Sequence, residues 1–405
     1  MRTPLPPWRR PARHSRAARS RPARALVAVA LATTCAFLPP APQPATGPPR
    51  VVSVRPATAL NEAFTRYADD PALPSHWTGG DSTYSVPTPR GQLWIFSDTF
   101  LGTVRPDGSR SPVSGDGGTT PFVRNSFVLR DRGGPHTVTG RDGAGRPASL
   151  VSDTRDDHWY WARAGLPDGP GVAVVYARYA RTGTGPLDIA WRGNVLARFA
   201  PGRLSRPRSL TPLPSSARIS WGAWLDRQSH YTYVYGTEKA AGPGNHLHLA
   251  RVAGGDLRRP WRFRTAEGTW SPDERRAARL TGPGGAALLT SDELSVVRHG
   301  SWYALVTQRV DEPFSAETQI AWSRAPGGPY TRPRTVFTAP EAGPRGTYRN
   351  ANVFAYNPHE HPELARAGEL VLSYNVNSLV PDDVVRRADI YRPRFLRLTL
   401  TRPAR

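Results

Sequence analysis

The sequence predicts an all-β fold, a five-bladed β-propeller, from two observations. Short segments rich in β-branched and aromatic residues recur along the chain, separated by turns, and the sequence contains 37 Gly and 43 Pro. Apolar residues rarely follow the spacing of a helix. The strands also group into modules of about 55–70 residues, and five such modules fit the available length. Four-stranded units repeated around an axis are the architecture of a β-propeller.

Each module reads as a strand, a Gly turn, an apolar strand and a more polar strand. The predicted strands are Asp81–Pro87, Leu93–Asp98 and Arg124–Leu129 in the first module; His158–Arg163, Val172–Arg181, Leu187–Phe199 and a strand near Arg208 in the second; Ile219–Leu225, Tyr231–Gly236, His246–Val252 and Trp261–Arg264 in the third; Leu289–Arg298, Trp302–Gln308, Thr318–Ser323 and Thr335–Phe337 in the fourth; and Tyr348–Tyr356, Glu369–Asn375 and Phe395–Leu400 in the fifth. Because the last blade of a propeller often takes a strand from the other terminus, Val51–Val54 is expected to complete the fifth sheet. Helices are expected only at Leu60–Ala68 and Pro272–Leu280.

The first 46 residues are interpreted as an export signal with a Pro/Ala-rich linker, and residues 47–405 as a single propeller domain. Residues 1–24 carry eight Arg and no acid, and the apolar run Ala25–Leu38 is shorter than the roughly 20 residues that a membrane span needs. We therefore expect a secreted protein, extracellular or cell-wall associated, with no membrane insertion after cleavage. Cys35 is the only cysteine, so the mature chain is expected to fold without disulfides.

The mature protein is expected to remain basic, because losing the eight leader arginines lowers the formal charge of +22 by eight, to +14. The arginines are scattered along the chain, which a genome that favours Arg codons explains. The segment Arg258–Arg264 mixes Arg with aromatic residues, as nucleic-acid surfaces do, but we prefer an outer strand with a solvated face and expect no nucleic-acid partner. A basic exported protein can still be attracted to anionic cell-wall polymer.

The stretch from residue 76 to residue 102 carries the strongest functional signal. Two β-rich segments flank a Pro-Arg-Gly turn, which predicts a β-hairpin. With an even-numbered loop, the ladder pairs Thr88 with Gly91, Ser85 with Trp94, Thr83 with Phe96 and Asp81 with Asp98. The hairpin therefore places two carboxylates opposite each other.

Two facing carboxylates destabilise a sheet unless something offsets their repulsion. Directly opposed residues hold their Cβ atoms roughly 4.5–5.5 Å apart, and like charges there cost up to about 1 kcal/mol at an exposed site. Proton sharing with one raised pKa, a bound cation or a substrate between the carboxylates would offset this cost. Alternatively, one Asp caps a turn and the other accepts backbone N–H bonds, and a three-residue loop would turn one Asp to the opposite face.

Several phrases along the chain resemble known families. The phrases WTGGDSTYSV, LWIFSDTFLG and RNSFVL, followed by DELSVV, WYALVT, YNPHEHPEL and LVLSYNVNS, are similar in order to the secreted propeller families called domain of unknown function 4185 and domain of unknown function 5005. The first family includes endo-D-arabinanases that cut the arabinan of mycobacterial cell-wall polysaccharides. SDTF stands here where GDTF is common, which makes the chain more similar to the second, uncharacterised family.

The resemblance implies a secreted glycoside hydrolase that acts on a furanoside-containing, arabinan-like polysaccharide through paired carboxylates. Asp81 and Asp98 match the positions of the catalytic acids in the arabinanase-like family. Glu293 lies at a fourth-blade position where more distant five-bladed enzymes carry an acid. Glycoside hydrolysis needs one protonated and one ionised carboxyl, which a sheltered like-charge pair supplies near neutral pH. Either Asp can take either role, and both retaining and inverting geometries are compatible with the hairpin.

Sugar recognition calls for aromatic platforms and hydrogen-bonding side chains at the mouth of a central channel. The candidates near the first strands of the modules are Trp77, Asn125, His158, Trp159, Trp161, Trp221, Trp224, Arg349, Asn350 and Asn375. Any one of them is more often a packing residue between blades, because aromatics carry much of a propeller core. Together they predict a polar and aromatic centre.

Metal and cofactor chemistry is weakly indicated. His246 with His248, and His359 with His361, lack the further ligands of a zinc site. No metal or cofactor is therefore expected, although a structural Ca²⁺ near the axis is compatible with the sequence. The sequence contains no G-x-S-x-G elbow, P-loop or dinucleotide fingerprint, which argues against serine esterases and nucleotide enzymes.

Two other functions stay open. The chain could be a non-catalytic propeller that binds carbohydrate or cell wall, in which case it would hold glycan without cleaving it. In a purely structural interpretation, Arg124 or Arg349 neutralises the two aspartates through bidentate contacts. We expect a monomer whose partner is the polysaccharide.

Overall fold

The computed structural model describes residues 47–73, 75–185 and 188–401. Within them, five antiparallel sheets of four or more strands follow one another along the chain, and the first strands of consecutive sheets lie side by side. This is the predicted five-bladed β-propeller, and we number its blades 1 to 5 in chain order. The expected export signal and linker, residues 1–46, lie outside the described residues.

Each predicted module corresponds to one blade, except that Leu289–Thr290, predicted as the start of the fourth module, pairs within blade 3. Blade 1 has a fourth strand that the sequence analysis did not place. In chain order within each sheet, the strands are Tyr84–Thr88, Gly91–Phe96, Ser126–Asp131 and Gly134–Val138 in blade 1; His158–Asp168, Gly171–Arg181, Ile189–Phe199 and Ser209–Pro212 in blade 2; Ser220–Arg227, Tyr231–Lys239, Asn245–Ala253, Trp261–Arg264, Trp270–Ser271 and Leu289–Thr290 in blade 3; Ser295–His299, Trp302–Gln308, Glu317–Ser323 and Arg334–Thr338 in blade 4; and Val51–Pro56, Val353–Glu360, Glu369–Ser378 and Pro393–Leu400 in blade 5.

Smaller elements stand outside the blades. They are the α-helices α1 (Thr58–Ala68) and α2 (Pro381–Arg386), a three-stranded sheet of His76–Gly80, Thr99–Gly102 and Phe122–Val123, a strand pair of Gly140–Arg141 with Pro147–Ala148, and 3-10 turns at Glu274–Arg276, Pro283–Gly285, Pro362–Leu364 and Ala388–Tyr391. The helix predicted over residues 60–68 is confirmed. The helix predicted over residues 272–280 is wrong, since only one three-residue turn forms there.

The N-terminal strand completes the last blade, as predicted. Val51–Pro56 pairs antiparallel with Pro393–Leu400, with Val54 opposite Leu398 at the edge of blade 5. Both ends of the domain thus belong to one sheet. Because each strand supplies ladder hydrogen bonds and a packed face to the other, we infer that the fifth blade needs both termini in order to form.

Blade 5 also contacts blade 1. The ring of His359 stacks on Tyr84 with centroids 4.2 Å apart, and its Nε2 donates to the carbonyl of Thr83 at 3.1 Å. Helix α1 packs against blades 1 and 5, where Phe64 lies edge-on to Trp94 with ring centroids 5.1 Å apart and stacks on Phe395 at 5.2 Å. These contacts fix the first strand of blade 1, and the residues just before it belong to the candidate site.

Candidate active site

The hairpin of blade 1 brings Asp81 and Asp98 together in the predicted register. Its ladder consists of the pairs Thr88–Gly91, Pro87–Gln92, Val86–Leu93, Ser85–Trp94 and Tyr84–Ile95. Beyond the ladder, the N–H of Asp81 donates to the carbonyl of Asp98 at 3.2 Å, and the N–H of Ser97 donates to the carbonyl of Asp81 at 3.1 Å. The opposition of the two acids is confirmed at the backbone, although the predicted pair of Thr83 and Phe96 falls outside the ladder.

A strained turn separates Asp81 from the ladder. Ser82 and Thr83 adopt left-handed conformations with φ of 65° and 60°. Such conformations cost of order 1–3 kcal/mol in non-Gly residues and persist only where the surroundings hold them. Asn375 provides that support, because its side-chain amide donates to Thr83 Oγ1 at 2.8 Å and to the Gly80 carbonyl at 3.3 Å.

Polar groups from four blades converge on a cavity of about 180 Å³. Its lining residues are Asp81, Ser82, Ser97, Trp161, Ala162, Arg163, Tyr179, Asp292, Glu293, Tyr356 and Asn357. Most of them lie in the first strand of a blade or directly before it. A concave site with a few convergent titratable groups is the usual setting for small-molecule or sugar chemistry.

Asp81 is held by two tyrosines. The hydroxyl of Tyr356 donates to Oδ2 at 2.9 Å, and Tyr391 also bonds the carboxyl group, whereas Oδ1 is buried without a hydrogen-bond partner among the described residues. Burial, followed by repulsion from Asp98, raises the pKa of Asp81 to about 7, against the opposing effect of the two tyrosine hydroxyls. Near neutral pH this group is therefore present as both acid and carboxylate.

Glu293 faces the same cavity from the start of blade 4. The hydroxyl of Ser82 donates to Oε1 at 2.6 Å. Glu293 is therefore bonded to the residue that directly follows Asp81. Burial raises the pKa of Glu293 to about 8, although Arg163 and the Ser82 hydrogen bond lower it. Glu293 is therefore mostly protonated at neutral pH.

The second oxygen of Glu293 meets a histidine. Oε2 lies 3.9 Å from Nδ1 of His359, and both atoms are buried without a hydrogen-bond partner in the part of the chain that is described. Burial lowers the pKa of His359 to about 4, so this contact joins two neutral groups rather than an ion pair.

Asp98 is bound more fully by protein groups than Asp81. Nη1 of Arg124 donates to both carboxylate oxygens, at 3.2 and 3.0 Å, and Nε1 of Trp161 donates to Oδ1 at 2.8 Å. Burial raises the pKa of Asp98, while the charge of Arg124 and these hydrogen bonds lower it. The ring of Trp159 lies 4.9 Å from the Arg124 guanidinium and supports it. Neutralisation by Arg124 is thus found for Asp98, whereas no arginine of the described ranges bonds Asp81.

An ion pair forms part of the cavity wall. Arg163 contacts Asp292 at 2.8 Å between Nη1 and Oδ2 and at 3.0 Å between Nη2 and Oδ1, and the Arg163 side chain is only 2% exposed. Burial favours the acid form of Asp292, but attraction to Arg163 outweighs it and lowers the pKa. The consecutive acids Asp292 and Glu293 therefore differ in charge at neutral pH, because only one of them has a cationic partner.

Three predicted sugar contacts are structural residues. Trp77 and Trp221 are fully buried, the first beneath helix α1 and the second with its Nε1 bonded to Glu274 at 2.8 Å. Asn125 is buried as well, and its amide makes three hydrogen bonds to backbone groups. This corrects the prediction, because residues without exposed surface cannot stack on a sugar or bond its hydroxyls.

Two further candidates lie away from the cavity, in the turn before blade 5. The amide of Asn350 donates to Asp383 at 2.7 Å and accepts from the N–H of Asn352 at 2.9 Å. Arg349 is exposed and has a φ of 49°. Neither residue lines the cavity, so their predicted contact with a sugar held there is not supported.

The remaining candidates surround the site indirectly. His158 bonds Asp157 at 2.7 Å at the start of blade 2, while Trp159 supports Arg124 and Asn375 holds the strained turn. Trp224 packs near His359, with ring centroids 6.3 Å apart, and does not line the cavity. Among the aromatic candidates, Trp161 lines the cavity.

Sequence reasoning missed several residues that shape the site, among them Tyr356, Asp292, Arg163 and Tyr391. Tyr356 and Asp292 lie inside the phrases YNPHEHPEL and DELSVV, so their closeness to suspected site residues was a usable signal. Arg163 lies two residues after Trp161 on the same strand face. Tyr391 carried no signal, because it reaches Asp81 from a 3-10 turn that is distant in the sequence.

The described residues contain neither a candidate metal cluster nor a helix that could span a membrane. No group of three or more His, Cys, Asp or Glu in those ranges is placed to hold a metal ion. Among the described helices, none has both the length and the apolar character required to cross a bilayer.

Comparison with a family model gives one match, described as "Domain of unknown function (DUF5005)", over residues 60–400. No curated protein matches the chain.

Three solved structures resemble this chain to different degrees. One neighbour is a protein from Bacteroides ovatus ATCC 8483 provisionally described as a hydrolase, with a TM-score of 0.68 and 21% identity over 85% of this chain and 90% of that chain. A GH43_1 enzyme from Xanthomonas citri matches with a TM-score of 0.43 and 12% identity, over 83% and 92% of the two chains. An exo-1,5-alpha-L-arabinanase from a bovine ruminal metagenomic library matches with a TM-score of 0.39 and 9% identity, over 82% and 100%.

Proposed function

Because this chain belongs to the domain of unknown function 5005 family, whose name states no activity, we propose its function from the cavity: it is a glycoside hydrolase that works with Asp81 and Glu293. One observation carries the proposal. Of the three carboxyl groups that line the cavity, Asp81 and Glu293 are not paired with an arginine of the described residues, and burial raises their pKa values, to about 7 and about 8. Glycosidic cleavage requires one protonated and one ionised carboxyl group.

The contacts of the two carboxyl groups suggest the roles. Asp81 accepts a hydrogen bond from Tyr356, which favours its carboxylate form, and acts as nucleophile or as the base that activates water. Glu293, whose Oε2 faces the neutral His359, is the general acid that protonates the leaving oxygen. Ser82 and Asn375 are positioning residues, since one bonds Glu293 and the other holds the turn that carries Asp81.

Asp98 has a supporting role in this proposal. Its carboxylate accepts hydrogen bonds from Arg124 and Trp161, which leaves it less available to a substrate than Asp81. Its charge still acts on the neighbouring acid, because repulsion from Asp98 raises the pKa of Asp81. The paired-carboxylate mechanism predicted from the sequence is therefore kept, with Glu293 in place of Asp98 as the direct partner of Asp81.

A furanoside polysaccharide of the arabinan type is the proposed substrate. The support is the sequence resemblance to the arabinanase-like family, centred on the phrase that contains Asp81 and Asp98. Secretion, cell-wall association and a monomeric state belong to the same proposal and rest on the basic, apolar leader and on the basic composition of the chain.

The experiment is a substrate panel with charge-removing variants. Purified wild-type protein, Asp81→Asn and Glu293→Gln are incubated with arabinan, arabinogalactan and xylan, and the products are sized by chromatography. We expect wild-type protein to release oligosaccharides from arabinan and each variant to lose at least 10²-fold in rate, the lower end of what a positioned acid or base contributes. Circular dichroism and thermal unfolding serve as the folding control.

The outcomes separate the competing functions. Retained activity in either variant would refute the assignment of that carboxyl group. Binding of glycan without cleavage by wild-type protein would identify a carbohydrate-binding propeller instead, and neither binding nor cleavage on any glycan would point to a structural role.

A further inference from the structure

An exposed phenylalanine projects from a strained turn in the loop between the second and third strands of blade 4. Phe314 is 45% exposed and has a φ of 54°, in the left-handed region that favours glycine. A bulky side chain in this conformation is costly and is held only where the surroundings or a function require it. The backbone conformation of Phe314 therefore needs an explanation.

The loop that carries Phe314 is tied to blade 5. Gln308 donates from its side-chain amide to the carbonyl of Ser315 and, at 2.8 Å, to the carbonyl of Ala355. Ala355 lies between Phe354 and Tyr356 on the first strand of blade 5. The position of Phe314 is thus fixed relative to that strand.

An aromatic series leads from Phe314 to the proposed catalytic carboxylate. The rings of Phe314 and Phe354 have centroids 4.6 Å apart, and those of Phe354 and Tyr356 are 5.2 Å apart. The hydroxyl of Tyr356 then donates to Asp81 at 2.9 Å. Only the ring of Phe354 therefore separates the exposed Phe314 from Tyr356, a cavity-lining residue.

We infer that Phe314 and Phe354 form a platform for a sugar ring of the substrate that lies outside the cavity, so that the site binds a saccharide chain rather than a single sugar. A sugar presents an apolar C–H face that packs on the electron-rich face of an aromatic ring. Ligand sites are lined largely by apolar and aromatic side chains with a few polar groups that orient the ligand, and the contacts of Phe314 and Phe354 end at Tyr356 in the cavity wall. The inference deepens the proposed function and rests on it for the identity of the reacting sugar.

The test is affinity electrophoresis of the full chain through gels that contain arabinan, arabinogalactan or xylan. Phe314→Gly removes the ring and relieves the backbone, so its unfolding temperature should equal or exceed that of the wild-type protein. Phe314→Trp keeps a platform. Leu210→Ala is the matched control, because Leu210 is 48% exposed on the outer strand of blade 2.

We expect at least one polysaccharide to retard the wild-type protein, Phe314→Trp and Leu210→Ala, and to retard Phe314→Gly at least fivefold less. In turnover assays on the polymer, Phe314→Gly should raise KM at least fivefold and change kcat by a smaller factor. Equal retardation of Phe314→Gly and wild-type protein, or retardation of neither, would overturn the inference. The comparison is repeated in the Asp81→Asn background, where retained binding without cleavage separates failure of the platform from failure of the proposed chemistry.

Discussion

The hydroxyl of Tyr356 donates a hydrogen bond of 2.9 Å to Oδ2 of Asp81, across 275 residues of sequence. The bond links the first strand of blade 5 to the residue that precedes blade 1, next to the contact of His359 with Thr83. The electrostatics of the proposed base thus depend on the packing of the last blade against the first. This relationship connects the integrity of the fold with the pH at which the site can work.

Removal of that hydroxyl should shift the pH dependence of activity. In Tyr356→Phe, Asp81 loses a donor that lowers its pKa. A hydrogen bond to a charged group is worth about 1.5–3 kcal/mol, and one pKa unit corresponds to about 1.4 kcal/mol, so the pKa should rise by about 1–2. Because Asp81 must be ionised, the acidic limb of the kcat/KM profile should move to higher pH by that amount.

The control for this variant is Tyr374→Phe. Tyr374 is also buried in blade 5 and donates to a carboxylate, that of Glu341, at 2.9 Å, but it does not line the cavity. It should lower stability without moving the profile. An unchanged profile in Tyr356→Phe, with activity intact, would show that Asp81 is not the group that must ionise.

Neutralisation of Asp81 should stabilise the protein at neutral and alkaline pH. The folded-state pKa of about 7 exceeds the ordinary value of 3.8, so the folded protein holds this proton more tightly than the unfolded chain. The stability associated with the group is therefore present below about pH 4 and is lost as the pH rises towards 7. Asp81→Asn should remove this loss and raise the free energy of unfolding at pH 8 by at most about 4 kcal/mol.

Urea denaturation of wild-type protein and Asp81→Asn at pH 4, 6 and 8 measures this difference. The gap between the two proteins should be smallest at pH 4 and grow with pH. Asp107→Asn is the control, and it should lower the free energy of unfolding at pH 8 rather than raise it. The reason is that hydrogen bonds from Ser109 lower the pKa of Asp107 in an exposed turn. A gap that does not change with pH would mean that the pKa of Asp81 is not raised.

Much of the fold could be predicted from local features of the sequence. The Pro-Arg-Gly segment allowed a two-residue loop, and the ladder of blade 1 follows the register predicted from such a loop as far as Tyr84 and Ile95. Asp81 lies opposite Asp98 as expected, although a left-handed turn rather than a continuous strand brings it there. The pairing of Val51–Pro56 with the last strand was also predicted, because a propeller leaves one sheet in need of a strand. These inferences used neighbours along the chain or a rule of the architecture.

The failures concern contacts that only tertiary packing decides. Trp77 and Trp161 are both aromatic residues near the ends of strands, yet one lies beneath helix α1 and the other bonds Asp98. The side on which a tryptophan lies depends on which blade packs against it. Tyr391 shows the same limit, since a 3-10 turn far along the chain delivers its hydroxyl to Asp81.

Replacement of Arg124 should move the pH profile in the direction opposite to Tyr356→Phe. In Arg124→Gln, Asp98 loses the charge that lowers its pKa and takes up a proton more readily. Its repulsion of Asp81 then falls, and the acidic limb of kcat/KM should shift to lower pH. Since the pair is partly exposed, unfolding should become easier by about 1–2 kcal/mol, between the values for surface and buried pairs.

The matched control for that variant is Arg198→Gln. Arg198 forms a two-point pair with Asp168, at 2.7 and 2.8 Å, on blade 2 and outside the cavity lining. It should lose a similar amount of stability and keep the wild-type pH profile. If both variants shift the profile equally, the effect comes from global charge rather than from Asp98.

Asn375 tests whether the strained turn positions the site. Asn375→Ala leaves the buried Thr83 hydroxyl and the Gly80 carbonyl without their donor, which should cost about 1–3 kcal/mol of stability. It should also lower kcat, because Ser82 and Asp81 depend on this turn.

The double variant Asn375→Ala with Thr83→Gly tests this dependence. Its left-handed residue is a glycine, which has no hydroxyl to satisfy, so part of the stability and of kcat should return. Chemical denaturation and steady-state kinetics of the two single variants and the double variant measure this coupling. Strict additivity of their effects would show that Asn375 acts on the fold elsewhere and not through the turn beside Asp81.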